Sequence, residues 1–252
     1  MSFDKLVLVS QIPPYDTGYL EFVAEWEAKR KALIVNLIDL PVLVAAHKNR
    51  STGPYPENSE ITLYDHVPTI RLSNACESVS NLVYSLAEVA ARFANKVCQR
   101  FPAKFNALRK KVRNGGFDTD VISALGDLQW YEKVREIRTE WAHYSSPFVG
   151  ENSGEPSIVL RSFRSVDNRQ QFTGRVSFSV DDLSHWSSSA LKTIDLFAVY
   201  LLKRHILPRF DLNAEIGQPV RDSTGFPVIR DGKFQSETIT VGEFMRRYRI
   251  LE

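Results

Sequence analysis

Arg138 and His143 stand five positions apart in the stretch REIRTEWAHYSS, which runs from Arg135 to Ser146. In an α-helix this spacing puts two side chains about 140° apart and about 7.5 Å along the axis, so they do not share one face. The arginine side chain is long, and both polar heads can therefore converge on one ligand outside a helical bundle. A two-fold axis between two copies would bring two such pairs together more easily.

Histidine and arginine at this spacing could cleave RNA without a metal ion. The histidine proton moves near neutral pH, and arginine offers a permanently charged fork that fits phosphate oxygens. One imidazole would take the proton from a 2′-hydroxyl that attacks the adjacent phosphorus. An acid would protonate the departing 5′-oxygen, and the guanidinium would stabilise the charge on the phosphoryl oxygens. No Cys or His cluster has the spacing of metal ligands, and we predict neither a metal nor another cofactor.

Each of these residues also has an ordinary structural interpretation. A histidine at a helix end complements the helix dipole, although the paired Arg138 favours a functional interpretation of His143. Arg135 is a second candidate phosphate contact, or one member of an exposed face of salt-bridging neighbours. A further basic segment is either a solvated face or a weak RNA path, and its cations are Lys104, Arg109, Lys110, Lys111 and Arg113.

The helices that must position these residues follow from apolar residues at helical spacing. We predict helices over residues 17–49 (kinked or divided at Pro41), 70–101, 103–113, 127–146 and 179–207, with Asp127 capping the fourth. The apolar stripe of that fourth helix comprises Trp130, Val134, Ile137, Trp141 and Tyr144.

Shorter elements accompany the long helices. The segments SIVLRSFRS and FTGRVSFSV predict a β-hairpin before the last long helix, and residues 61–64 predict a short extended piece. Asp231-Gly232 predicts a tight turn, and Thr240 with Glu243 fits a capping box. Together these elements predict a mainly α-protein of about five helices, which we interpret as a single domain over residues 1–252.

Composition restricts the function classes only loosely. The 32 basic and 30 acidic residues nearly balance, so the net charge of +2 neither demands nor excludes a nucleic-acid partner. The two cysteines fall on one predicted helix, too far apart to bridge, which is typical of a reducing compartment. We find no secretory signal and no membrane-spanning stretch, and we expect a cytoplasmic protein without a membrane partner.

The stretch IRTEWAHYSS resembles the signature of the HEPN superfamily, the higher eukaryote and prokaryote nucleotide-binding domains. That signature is Arg, four to six residues, then His, near the end of a late helix in a bundle of four or five helices. Arg138, four residues and His143 match it, and Tyr144 after the histidine is also similar to the family. The resemblance covers an up-down bundle over about residues 70–207. It leaves an N-terminal helical extension, 1–60, and a C-terminal extension, 208–252.

The resemblance implies a metal-independent endoribonuclease that works as a homodimer on RNA, in a toxin–antitoxin or anti-phage defence setting. An antitoxin or another regulatory protein would then be a partner. Many active members carry Asn, Asp or His directly after the arginine, where this chain has Thr139; here Thr139 or Glu140 would supply the polar contact. Inactive members serve as RNA-, nucleotide- or protein-binding modules, and this alternative stays open.

Overall fold

The computed structural model of the chain describes residues 3–10, 12, 17–49, 67–143, 148–152, 155–166, 169–224 and 226–250. Within these ranges the protein is mainly helical, as predicted. The extended piece expected at residues 61–64 and the aromatic Tyr144 lie outside the described residues.

The described part of the chain contains eight α-helices. Four are long and correspond to predicted helices, while three of the others have only seven residues each. They are α1 (Phe3–Val9), α2 (Thr17–Lys48), α3 (Val67–Val97), α4 (Phe105–Arg113), α5 (Thr119–Leu125), α6 (Gln129–His143), α7 (Val180–Leu201) and α8 (Val241–Arg247). A π-helical turn, Leu202–Ile206, and a 3₁₀ turn, Leu207–Arg209, continue α7.

Helix α2 passes through Pro41 without ending there, so of the two predicted alternatives, a kink or a division into two helices, the division is wrong. Proline removes one backbone donor from a helix. The flanking turns of α2 are held by buried side chains, Leu40 before the proline and His47 after it. Tertiary packing therefore continues the helix where the local sequence favours a break.

Helices α2 and α3 pack side by side in opposite directions. Trp26 meets Phe93 edge to face, with ring centroids 5.7 Å apart, near the start of α2 and the end of α3. At the other end, His47 Nδ1 lies 3.0 Å from Thr69 Oγ1. Because rising numbers on α2 meet falling numbers on α3, the two helices are antiparallel over their full length.

Helix α7 lies against α2, α3, α5 and α6 and completes the bundle. It begins with a capping box between Ser179 and Asp182, and its buried face includes Leu183, Ile194 and Phe197. The buried residues of the described chain, from Leu6 to Ile250, form one continuous core. None of the described helices combines the length and apolarity that crossing a bilayer requires.

The predicted hairpin is confirmed as strands β2 (Glu155–Val166) and β3 (Arg169–Ser179), antiparallel with Val166 opposite Arg169. A further strand, β1 (Phe148–Asn152), pairs with β2 and was not predicted. The five residues of β1 carry too short a pattern to identify. The strand is held by pairing with β2 and by Ser73 Oγ of α3, which accepts from Val149 N at 3.1 Å.

Four short strands and α8 form the C-terminal part. Strand β4 (Glu215–Pro219) pairs with β7 (Ser236–Thr240), and β5 (Ile229–Arg230) pairs with β6 (Lys233–Phe234). The predicted tight turn joins β5 to β6, with positive φ at both Asp231 and Gly232. The predicted capping box of Thr240 and Glu243 starts α8.

Candidate functional site

Helix α6 carries the Arg138–His143 pair and is fixed at its start by a side chain. Asp127 Oδ1 accepts a hydrogen bond from Gln129 N at 2.9 Å, so the residue predicted to cap the helix holds its first backbone donor, from a position two residues before the helix begins. Trp130, Val134 and Ile137 are buried, as the predicted apolar stripe requires. The side chain of Trp141 lies outside the described part. This stripe turns α6 so that Arg138 lies beside the core rather than in it.

The guanidinium of Arg138 lies over the ring of Tyr84 on α3, with Cζ 4.8 Å from the ring centroid. Such a cation–π contact is worth roughly 0.5–2 kcal/mol, depending on how far the pair is removed from water. Arg138 is half-buried.

Behind Arg138 a chain of aromatic and polar contacts fixes Tyr84. The rings of Tyr84 and Tyr131 stack, with centroids 5.9 Å apart and planes 19° apart. The Tyr131 hydroxyl donates to Glu88 Oε1 at 3.2 Å, and Phe105 N donates to Glu88 Oε2 at 3.4 Å. Burial, and then the nearby Glu88 carboxylate, raise the pKa of Tyr131, so this hydroxyl remains a donor.

Sequence reasoning missed Tyr84, Glu88 and Tyr131. Tyr84 and Glu88 are four positions apart on α3, and Tyr131 and Arg138 are seven apart on α6, so each pair shares a helix face. The spacing within each helix was the sequence signal for these residues. That the two pairs form one cluster follows only from the packing of α3 against α6.

His143 is the last residue of α6, which places its backbone at the predicted helix end. The side chains of His143 and Glu140 lie outside the part of the chain that is described, as does Tyr144. Thr139 is half-buried next to Arg138, and Arg135 is exposed one turn earlier. The described geometry thus brings Arg138 together with Tyr84.

The five cations around α4 do not share one environment. Arg109 forms an ion pair with Glu132 of α6, and its side chain is only 14% exposed. Lys111 donates to the Arg100 carbonyl at 2.9 Å and lies over the ring of Phe117. Three of the predicted RNA-binding cations are exposed to solvent, namely Lys104, Lys110 and Arg113.

A cleft of about 440 Å³ separates α4 from the start of α6. Arg109, Arg113 and Lys133 line it together with the acidic Asp127 and Glu132, so its charge is mixed. From Glu132 to His143, α6 rises about 16 Å. The cleft and the Arg138–His143 pair therefore occupy opposite ends of the same helix.

A second polar cluster, also missed from the sequence, surrounds the π-helical turn after α7. Arg100 Nη2 donates to Asp118 Oδ2 and to the Tyr200 hydroxyl, both at 3.1 Å. The half-buried His205 ring meets Phe101 and Tyr200 edge to face, with both pairs of centroids 5.7 Å apart. Burial lowers the pKa of His205, and neighbouring arginines lower it further.

Within the described ranges, no three His, Cys, Asp or Glu side chains come close enough together to hold a metal ion. Cys76 and Cys98 are free thiols. No protein-family model, curated protein or solved structure matches this chain.

Proposed function

We propose that this protein is a metal-independent endoribonuclease of HEPN type, with Arg138 and His143 as its catalytic residues. The observation that carries the proposal is the Arg138 guanidinium, which α6 holds half-buried against Tyr84 within two turns of His143. A guanidinium held in place before substrate arrives stabilises developing charge without having to reorganise.

The reaction needs one base, one acid and one cation. The His143 imidazole takes the 2′-hydroxyl proton while the O2′–P bond forms and the P–O5′ bond breaks. In a composite site made by two copies, the second imidazole protonates the leaving 5′-oxygen. Arg138 stabilises the charge on the phosphoryl oxygens, and the products are a 2′,3′-cyclic phosphate and a 5′-hydroxyl.

The neighbouring residues have supporting roles. Thr139 and Glu140 offer polar contacts beside the arginine, Tyr144 flanks the histidine, and Arg135 contacts a neighbouring phosphate. Two exposed cations that line the cleft, Arg113 of α4 and Lys133 of α6, extend the path for an RNA strand. Arg109 contributes less to this path because Glu132 already neutralises it.

The biological setting in this proposal is cytoplasmic, in a toxin–antitoxin pair or in defence against phage. The HEPN-like up-down bundle would comprise about residues 70–207. An antitoxin or regulatory protein would restrain the nuclease, since uncontrolled RNA cleavage is toxic.

The proposal is tested by incubating the purified protein with total cellular RNA in excess chelator. The wild type should cleave and leave 2′,3′-cyclic phosphate ends, and His143→Ala should lower the rate at least 100-fold, as expected for loss of a general base. The matched control is His185→Ala, which removes an exposed histidine of α7 and should leave cleavage unchanged.

Arg138 needs variants that separate chemistry from packing. Arg138→Lys keeps a cation near Tyr84 but loses the fork, and it should cleave poorly while unfolding close to the wild-type temperature. Tyr84→Leu removes the stacking partner and should lower the unfolding temperature. Cleavage that survives in both His143→Ala and Arg138→Lys would overturn the assignment.

A catalytically inactive HEPN-like module that binds RNA, a nucleotide or a protein is the second candidate. The stacking of Arg138 on Tyr84, and the chain of contacts behind it, are also what a purely structural arginine would make. This function predicts RNA binding without cleavage. Affinity should then fall steeply with salt, and Arg113→Glu should weaken binding more than His143→Ala.

A further inference from the structure

Helix α2 has two apolar faces, and the described residues of the chain cover only one of them. The inner face buries Val23, Trp26, Leu33 and Leu40 in the core. The outer face carries a second row, all of it exposed: Ala24, Ala28, Lys31, Val35, Ile38, Val42 and Ala45. We call this row the α2 seam.

The α2 seam is a continuous row rather than scattered exposure. Val35, Ile38 and Val42 are 55%, 67% and 68% exposed, whereas single exposed apolar residues are ordinary on a protein surface. Successive residues of the seam are separated in turn by four and by three positions. The average spacing of 3.5 residues keeps their side chains on one face of the helix along three heptads. From Ala24 to Ala45 the row extends about 32 Å, and this regular spacing is what a second helix packs against.

The sizes of the side chains indicate which helix fits. The side chains of the seam are small in its first half, at Ala24 and Ala28, and larger in its second half, at Val35, Ile38 and Val42. An identical helix running the opposite way sets Ile38 against Ala28 and Val42 against Ala24. Large meets small in these two layers, and in the central layers Lys31 of each copy lies against Val35 of the other, so that the distance between the two helix axes stays similar along the contact.

The charges along the seam fit the same arrangement. With the two-fold axis between Lys31 and Val35, each Lys31 lies within about one helical turn of the Asp39 of the other copy. Both residues are exposed. Lys31 also pairs with Glu27 of its own chain at 2.6 Å, which limits repulsion between the two lysines. Opposed helix dipoles favour antiparallel packing as well.

We infer that the α2 seam is a homodimer contact, in which α2 of one copy packs antiparallel against α2 of a second copy. The inference does not rest on RNA cleavage. Tyr84, which contacts Arg138, and Phe93, which contacts α2, are nine positions apart on α3, about 180° around the helix. The α2 contact and a composite Arg138–His143 site therefore use different faces, and their variants separate them.

The first test is molar mass by light scattering after size-exclusion chromatography. Ile38→Lys should raise the dissociation constant of the α2 contact at least tenfold and lower the measured mass. Leu196→Lys is the matched control, because it places the same charge at an exposed leucine of α7 and should leave the mass unchanged. A wild-type protein that is monomeric at tens of micromolar would overturn the inference and would favour an unrelated partner on this face.

The second test determines whether the two α2 helices are parallel or antiparallel. It measures distances between spin labels in protein that also carries Cys98→Ser. In the antiparallel arrangement, labels at Val35→Cys lie two residues from the two-fold axis and are therefore close together, offset by about 6 Å along the helices. Labels at Ala24→Cys lie about 20 Å farther apart, since each residue of displacement from the axis adds about 3 Å. Equal distances at both positions would mean a parallel contact, and absence of dipolar coupling would mean no α2 contact; either result contradicts the proposal.

Discussion

Single side chains change their chemistry where burial and neighbouring charges act on them, and His205 is an example. Burial lowers its pKa, and Arg100, Arg209 and Arg204 lower it further, against a smaller opposing effect of Asp118. Its folded pKa therefore lies below the value of about 6.5 in the unfolded chain. The unfolded chain binds the proton first as the pH falls, so His205 destabilises the fold below about pH 6.5.

We therefore expect His205→Phe, which keeps an aromatic ring between Phe101 and Tyr200, to lose less stability than the wild type between pH 7.5 and pH 5. Urea unfolding at the two pH values measures the difference. His185→Phe at the exposed position of α7 serves as the control. A His205→Phe protein with the same pH dependence as the wild type would show that the pKa of His205 is the same in the folded and the unfolded chain, which contradicts the prediction.

At the scale of elements, helix ends depend on individual caps. Ser179 Oγ accepts from Asp182 N at 3.0 Å, and Asp182 Oδ2 accepts from Ser179 N at 3.1 Å. Ser179→Ala should lower the free energy of unfolding by about 1 kcal/mol, the usual effect of losing such a cap. For a chain of this length, that corresponds to about 2–4 °C in the thermal midpoint.

The control for this prediction lies on the same helix. Ser188 is exposed in the interior of α7, where alanine is the better helix former, so Ser188→Ala should leave the midpoint unchanged or raise it slightly. Equal losses in the two variants would mean that the Ser179 hydroxyl has no capping role.

At the scale of the whole molecule, one ion pair links the N-terminal helix α2 to the late helix α7. Arg30 donates to both oxygens of Asp195, with Nε–Oδ1 at 2.9 Å and Nη2–Oδ2 at 2.8 Å. Both side chains are mostly buried, so each single change removes one partner from a largely desolvated, hydrogen-bonded ion pair. Asp195→Asn should lower the free energy of unfolding by about 1.5–3 kcal/mol.

A double-mutant cycle isolates this pair. Arg30→Met combined with Asp195→Leu should cost less than the sum of the two single changes, because no unpaired charge remains. The measurement is denaturant unfolding of the four proteins. Strictly additive losses would show that the two side chains do not stabilise each other.

Much of the fold could be predicted from local sequence because its signals are local. The stripes of α3 and α7, the capping box at Thr240 and the turn at Asp231-Gly232 each depend on residues within a few positions of one another. The same reasoning put Arg138 and His143 on one helix, near its end. Their roles as catalytic residues are a proposal drawn from that placement and from a resemblance.

Only the tertiary structure decided which side chains of different helices are in contact. Tyr84 and Arg138 come from α3 and α6, Arg30 and Asp195 from α2 and α7, and Arg109 is neutralised by Glu132 on another helix. Pairing with β2 created β1, and packing carried α2 through Pro41. The apolar pattern of a single chain predicts that a face is buried but not against which partner, since hydrophobic burial is non-directional. The residues of α2 are apolar on two sides, and only the fold determined which of these sides is left exposed.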